Sequence, residues 1–477
     1  MNAPPQAPPA AFPTYHDPLP FLWRLFAIFA LTETLSYDNK TYTPYSMITR
    51  LIDFLNASPV NFLAVDTISR RLDAAGYKKI NAADAMTALK PGDRFYVTKN
   101  DSAVFAFELG TQPLADTGAH IIAAHCDSPT FRIKPNAEMT GDGRVVKLNT
   151  EAYGGAILST WMDRPLSLAG RVIVRGDNPL HPVSRLLHIG RPLLQIPNLA
   201  IHFNRQVNEG VKLSKQKDML PIIGIAPEGQ NPGETLLNLL AEELGVPAAD
   251  IIDFDLSLYV VSPAYRWGLS GEFVSSGRLD DLSMVHAGLE ALLASSTTDT
   301  TKTKILAIFD NEEVGNGTKQ GAGSPFFASL VERIVSAQGG TKDDYFRAVE
   351  RSFMVSADNA HAWHPNYNEK YDPTNHPVMG GGPVIKYNAQ QKYLSDAYSA
   401  AVFAGICRDA GVPCQKFVNH SEVAGGSTLG NTLSSSLPLA GVDMGNPIWA
   451  MHSACETGSV DDHLYCIKAF TRFYEMV

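Results

Sequence analysis

The chain has 477 residues, 45% of them hydrophobic and 18% charged, which is ordinary globular material long enough for two domains of usual size. A net charge of −10 argues against nucleic acid as the main partner. Five cysteines (Cys126, Cys407, Cys414, Cys455 and Cys466) form no CxxC pair, and their odd count and wide spacing fit reduced thiols of a cytoplasmic protein better than a disulfide framework.

Residues 1–18 are rich in Pro and Ala, and residues 19–31 (LPFLWRLFAIFAL) are strongly apolar. No Lys or Arg precedes that run and Arg24 interrupts it, so it does not read as a secretory leader. It is also shorter than the ~20 residues that cross a bilayer, so no membrane association is expected. The domain is expected to begin near Met47, with residues 1–46 a dispensable extension or a misassigned start.

Helical spacing follows at Ile48, Leu51 and Leu55, then at Phe62, Val65, Ile68 and Leu72. A strand is predicted over 119–124 (AHIIAA), running into His125-Cys126-Asp127-Ser128-Pro129. From 130 to 276 the texture changes to short β-rich segments at 145–148, 166–174, 199–203 and 256–261, separated by polar and Pro/Gly-rich stretches such as 226–234. That pattern predicts a mostly β domain inserted into an α/β one.

The α/β texture resumes at Arg278-Leu279-Asp280-Asp281, with Leu282, Val285, Leu289 and Leu292 on one helical face. Residues 305–309 (ILAIF) read as a strand buried on both faces, giving way to Asp310-Asn311-Glu312-Glu313-Val314-Gly315. A further strand over 353–357 ends at Asp358; then come a helix near 394–410, a strand into Val442-Asp443 and a helix near 460–476. The expected division is therefore an extension (1–46), a catalytic domain in two parts (47–129 and 277–477) and the insert (130–276).

His125, Asp127, Asp280, Glu312, Glu313, Asp358 and His452 all follow or adjoin predicted strands, where open α/β sheets place their active sites. Two imidazoles and several carboxylates are the donor set for a pair of Zn²⁺ or similar ions. A bridging carboxylate would hold such ions ~3.5–4 Å apart around one activated water. In His-x-Asp the carboxylate can take the other imidazole N–H and fix its tautomer. Each residue has a plainer reading: a strand-end or core histidine, a turn, a solvated Glu-Glu pair, or, for Asp280-Asp281, a helix N-terminus. In α/β context, and taken jointly, the metal reading outweighs these. HExxH, GxSxG, Walker A and GxGxxG signatures are absent from the sequence. The competing classes are a metal-stabilised assembly protein without catalysis and a dinuclear phosphoesterase; structural zinc shells favour Cys and His, and no cationic loop adjoins these motifs.

The stretches AHCDSP, SGRLDDL, FDNEEVG, SADNAHAWHPNY, GPVIKYN and GVDMGNPIWAMHS resemble the aspartyl and vacuolar aminopeptidase family of dinuclear zinc exopeptidases, from about Met47 to the C-terminus. The resemblance implies a zinc-peptidase-like mixed sheet flanked by helices, with a β-rich dimerisation insert. It implies that His125 and Asp358 hold one metal, Glu313 and His452 the other, and Asp280 bridges them. Glu312 would be the general base, with Asp127 the carboxylate behind His125. The resemblance further implies substrate contacts from His361, Lys386 and Tyr393, Lys386 being the candidate partner for an acidic N-terminal residue. It also implies a His202 reaching a neighbouring subunit's active site. Two divalent ions per subunit are implied, Zn²⁺ with Mn²⁺ or Co²⁺ as alternatives, together with peptide substrates and a dimer-based homo-oligomer, possibly a tetrahedral dodecamer. One departure stands out. Gly425-Gly426-Ser427-Thr428-Leu429-Gly430-Asn431 replaces the Cys-Gly-Ser-Thr-Ile-Gly-Pro usual in similar eukaryotic enzymes, which opens a preference for neutral or apolar N-terminal residues as the alternative to Asp/Glu.

Overall fold

The computed structural model describes residues 44–477 apart from positions 88, 142, 229–230 and 297–299. The expected extension lies outside the described residues up to residue 43, and the first helix, Pro44–Ala57, begins upstream of Met47. Its apolar spacing, and that of the next helix Asn61–Ala74, buries the positions expected: Ile48, Leu51, Leu55, Val65, Ile68 and Leu72 are all core residues.

A nine-stranded sheet organises the molecule, in the order Lys78–Lys79, Arg94–Lys99, Ala103–Glu108, Thr303–Phe309, Ala119–His125, Phe353–Ala357, Ala440–Gly445, Val384–Tyr387 and Gln415–Val418. Its centre is four parallel strands, with Phe309 opposite His125, Ser356 opposite Ala123 and Ala357 opposite Met444. This register brings the ends of separate sequence segments level with one another. Helices Leu279–Ser295, Ala397–Asp409 and Val460–Glu475 pack on one face and Phe326–Ala337 and Lys342–Glu350 on the other. The fit is tight at Gly288, where an added Cβ would sit 2.7 Å from Leu306 Cδ1.

A six-stranded antiparallel sheet comes wholly from residues 130–260. One expectation within 130–276 fails, and one element there was missed. Residues 199–203 form turns rather than a strand, and no strand among the described residues pairs with them. Asn198 is instead pinned to Asp163 (N to Oδ1 2.9 Å, Nδ2 to Oδ2 2.7 Å), and Leu199, Ile201 and Phe203 are 60%, 52% and 80% exposed. Helix Thr235–Leu244 was not anticipated, although Leu236 and Leu240 at helical spacing and a left-handed Gly245 cap mark it.

The strands Tyr265–Trp267 and Phe273–Ser276 join a third sheet with Glu456–Ser459, Pro447–Trp449 and Ala360–His361. Ser276 pairs with Glu456, so the chain entering Asp280 and the loop carrying His452 are tied side by side.

Candidate active site

The carboxyl ends of the central strands converge on a cavity of about 430 Å³ lined by His125, Asp280, Glu312, Glu313, Asp358 and His452, among others. His125 closes its strand with the ring held at both sides. Nδ1 lies 3.1 Å from the carbonyl oxygen of Asp127 and 3.3 Å from its Oδ1, leaving Nε2 to face Asp280 Oδ1 at 3.7 Å. The His452 ring repeats that arrangement: Nδ1 is 3.2 Å from the carbonyl of Gly155, and Nε2 is 3.4 Å from Asp280 Oδ2 and 3.3 Å from Glu313 Oε1. Asp280 thus presents one oxygen to each histidine. Its plainer reading as a helix cap does not account for its side chain, since Oδ1 has no hydrogen-bond partner among the described residues and each oxygen faces an imidazole.

Donor atoms of His125, Asp280, Asp281 and Asp358 lie within 4.8 Å of one another, as do those of Asp280, Glu313 and His452. Asp281 is the addition that sequence reasoning missed. Its oxygens accept from the His125 backbone N–H (3.1 Å) and Asn359 Nδ2 (3.4 Å), so it anchors the strand end.

Glu312 and Glu313 form a single 3₁₀ turn after a left-handed Asn311 (φ 65°). Their backbone N–H groups donate to the two oxygens of Asp127, each at 3.1 Å, and the Tyr153 hydroxyl donates to Asp127 at 2.7 Å. One carboxylate therefore both orients His125 and fixes the Glu-Glu turn. Burial opposes ionisation of Asp127, but these hydrogen bonds and the adjacent imidazole outweigh it and hold its carboxyl below the usual range.

Among protein charges alone, acid is in excess. Burial, with Asp358 and Glu313 nearby, pushes Glu312 up to about 8 against the pull of His125. Burial and Asp280 push Glu313 up to about 7. Asp280 Oδ1 and Glu313 Oε1 are buried without a hydrogen-bond partner among the described residues. Such orphaned oxygens facing paired imidazoles fit divalent cations.

The family profile described as "Aminopeptidase I zinc metalloprotease (M18)" matches residues 54–474. The chain belongs to this M18 family. A "Probable M18 family aminopeptidase 2" of Clostridium novyi is 49% identical over 426 residues, covering 89% of this chain and 98% of that one. A chain in the cryo-EM structure of the Ape4 and Nbr1 complex superposes with a TM-score of 0.87 at 34% identity, over 91% of this chain and 86% of its own. The mApe1 dodecamer of "S. cerevesiae" gives a TM-score of 0.77 at 25% identity, over 90% and 96%. This M18 protein is accordingly a zinc-dependent metallo-aminopeptidase, acting on peptide N-termini, which sets aside the assembly-protein and phosphoesterase readings.

On the far side of the M18 site the cavity is lined by His361, Lys386, Tyr393 and residues 426–428 of the Gly-rich segment. Lys386 is neither a solvated lysine nor a free one. It is 3% exposed, with Nζ 3.2 Å from Asp358 Oδ2, donating to the Asn359 carbonyl at 3.1 Å and 5.4 Å from the Tyr393 ring centre. Burial opposes its charge, yet Asp358, Tyr393 and Asp443 more than compensate and raise its ammonium above the ordinary value. His361 is exposed at the rim. His202 is exposed in the 199–203 turns and does not line this cavity.

Other contributors carry no local sequence signal. Glu456 accepts the N–H groups of Asp280 (2.9 Å) and His452 (2.7 Å), supporting the left-handed backbone of His452 (φ 68°). Gly154 and Gly155 lie against the site, where added Cβ atoms would come 3.2 Å from Glu313 Cβ and 3.3 Å from His452 Nδ1. No described helix is long and apolar enough to cross a membrane.

Proposed function

We propose that this aminopeptidase uses two divalent ions, with His125 and Asp358 holding one, Glu313 and His452 the other, and Asp280 between them. The convergence of these five side chains, with two of their oxygens otherwise unpartnered, carries the proposal. When bound, the ions supply Lewis acidity to the scissile carbonyl and the attacking water; imidazole and carboxylate donors suit Zn²⁺, Mn²⁺ or Co²⁺. Glu312 accepts a proton from that water and returns it to the amine nitrogen as the C–N bond breaks. Asp127 and Tyr153 keep the Glu312 backbone in place throughout. Metal analysis tests the assignment. Wild-type protein should carry two ions per subunit and His452→Ala or Asp358→Ala about one, whereas a single ion in the wild type would defeat it.

The preferred N-terminal residue is proposed to be Asp or Glu, because Lys386 is the one Lys or Arg among the residues lining the cavity. The pairing of Lys386 with Asp358 favours the second reading, a neutral or apolar N-terminal residue. Fluorogenic aminoacyl substrates decide between them, by comparing Asp and Glu with Leu and Met.

The subunit is further proposed to assemble as a homo-oligomer, a dodecamer like that of the mApe1 relative, with the insert in its dimer contacts. The exposed apolar side chains of Leu199, Ile201 and Phe203 flank His202, as a residue meant for a neighbouring subunit's site would require. His202→Ala should lower kcat/KM without changing subunit Tm, and an unchanged kcat/KM would discard that role.

A further inference from the structure

Two loops distant in sequence line the specificity side of the cavity, one through Tyr393 and the other through Gly426-Ser427-Thr428. What ties both to the strands beside Lys386 is Asp443. It lies fully buried on strand Ala440–Gly445, opposite Ser356 in the parallel register. On its other side Val384 pairs with Gly445 and Ile385 with Met444, and that antiparallel register brings Lys386 level with Asp443.

The carboxylate is divided between the two loops. Oδ1 accepts from the Thr428 hydroxyl at 2.8 Å, and Oδ2 accepts from the Leu394 backbone N–H, next to Tyr393. The Asp443 N–H strengthens the second tie by donating to Ser395 Oγ at 2.9 Å. Thr428 stands before the short helix Leu429–Ser434 without capping it, because its hydroxyl is turned inward to Asp443. Gly430 lies against the same oxygen, where an added Cβ would come 2.7 Å from Asp443 Oδ1, so glycine permits this close approach. Two more bonds knit the loops together: Lys392 Nζ to the Gly425 carbonyl at 2.6 Å, and Asn431 Nδ2 to the Gln391 carbonyl at 2.7 Å. Burying a carboxylate is costly, and one serving the core alone could give way to an apolar side chain. The donors to this carboxylate instead sit on loops that wall the cavity.

We propose that Asp443 is a positioning residue for recognition of the substrate's N-terminal side chain, holding the Thr428 and Tyr393 walls of the cavity at a set distance from Lys386. The proposal rests on the reading that this side chain enters on the Lys386 side, and it holds whether the preferred residue is acidic or apolar. The metal-loaded full chain is assayed on two peptide panels, one varied at the N-terminal residue and one at the residue after it. Thr428→Val removes one tie at nearly constant volume. It should raise KM for the preferred N-terminal residue about tenfold with kcat little changed, and lower the kcat/KM ratio to Ala accordingly, as loss of one charge-assisted hydrogen bond requires. Thr428→Ser keeps the hydroxyl and should keep the wild-type ratio. Asp443→Asn should lower the ratio too, and the double variant no further than Asp443→Asn alone, because both act through one tie. Zinc content should stay at the wild-type value throughout. Unchanged N-terminal ratios in Thr428→Val, or equal losses on every substrate, would overturn the positioning role. A shift confined to the second panel would overturn the reading of this side of the cavity, and the proposal with it.

Discussion

His120 and His125 stand at opposite ends of one strand, both buried, yet their surroundings drive their protonation in opposite directions. At the amino end, burial and then the charges of Lys302 and Lys304 push His120 down to about 3, and its ring lies 4.5 Å from that of Phe473. At the carboxyl end burial acts the same way on His125, but Asp127, Asp281 and Glu312 outweigh it and push the imidazole well up. The same residue type on the same strand is a neutral packing element at one edge and part of a charged cluster at the other. The difference lies in what the parallel register collects. Strand carboxyl ends here deliver Asp127, Glu312, Glu313 and Asp358 to one place, and their amino ends do not.

The largest effect that would break this contrast is at Glu312. Glu312→Gln should retain zinc, measured by metal analysis, and lose about a thousandfold in kcat, the scale of a missing general base. Near-normal turnover would leave the carboxyl edge without its proton-transfer group. Next is Asp127→Asn, which removes the acceptor that both orients His125 and pins the Glu312-Glu313 turn. Zinc affinity or kcat/KM should fall about 10–100-fold, by competition titration with a chelator and by steady-state kinetics. An intact affinity with intact kcat/KM would mean that the ring and the turn are held by other contacts.

How much of this was legible in the sequence follows the same division. Ile305 to Phe309 announced a doubly buried strand, and the structure extends it only to Thr303–Phe309. His-x-Asp and Glu-Glu were readable because their partners are close in sequence. Tyr153, Asp281, Glu456, Gly154 and Gly155 were not, because their roles exist only after distant segments meet. Glu456 reaches Asp280 across 176 positions. Asp280 itself looked like a helix cap, and only the folded chain puts its carboxylate between the two histidines. In the insert, residues 199–203 had strand-like composition but pair with no strand among the described residues, and tertiary context decides β structure. Lys386 was found by resemblance, while its burial against Asp358 was invisible to composition, which places lysines at the surface.

A smaller effect is expected at the specificity side of the cavity. Lys386→Met should lower the preference for Asp over Leu at the substrate N-terminus by about tenfold, the loss of one charge-assisted hydrogen bond. The ratio of kcat/KM values is the diagnostic, because release of Asp358 from its ion pair should affect both substrates alike. An unchanged ratio would show that Lys386 serves Asp358 and not the substrate.

The smallest effect concerns His120 and sharpens the other end of the strand. Its folded pKa of about 3 lies below the unfolded value of ~6.5, so below pH 6.5 the unfolded chain takes up a proton that the folded one refuses. Its contribution to stability is therefore present above pH 6.5 and lost progressively as the pH falls toward 3, with a limiting slope of about 1.4 kcal/mol per pH unit for one site. His120→Phe keeps an aromatic ring beside Phe473 and removes the titration. The variant's Tm should fall less steeply than the wild type's between pH 6.5 and 4.5, by a few degrees over that window. Equal slopes would mean that His120 takes up a proton as readily in the folded protein as in the unfolded chain, and the contrast in protonation between the two ends of the strand would disappear.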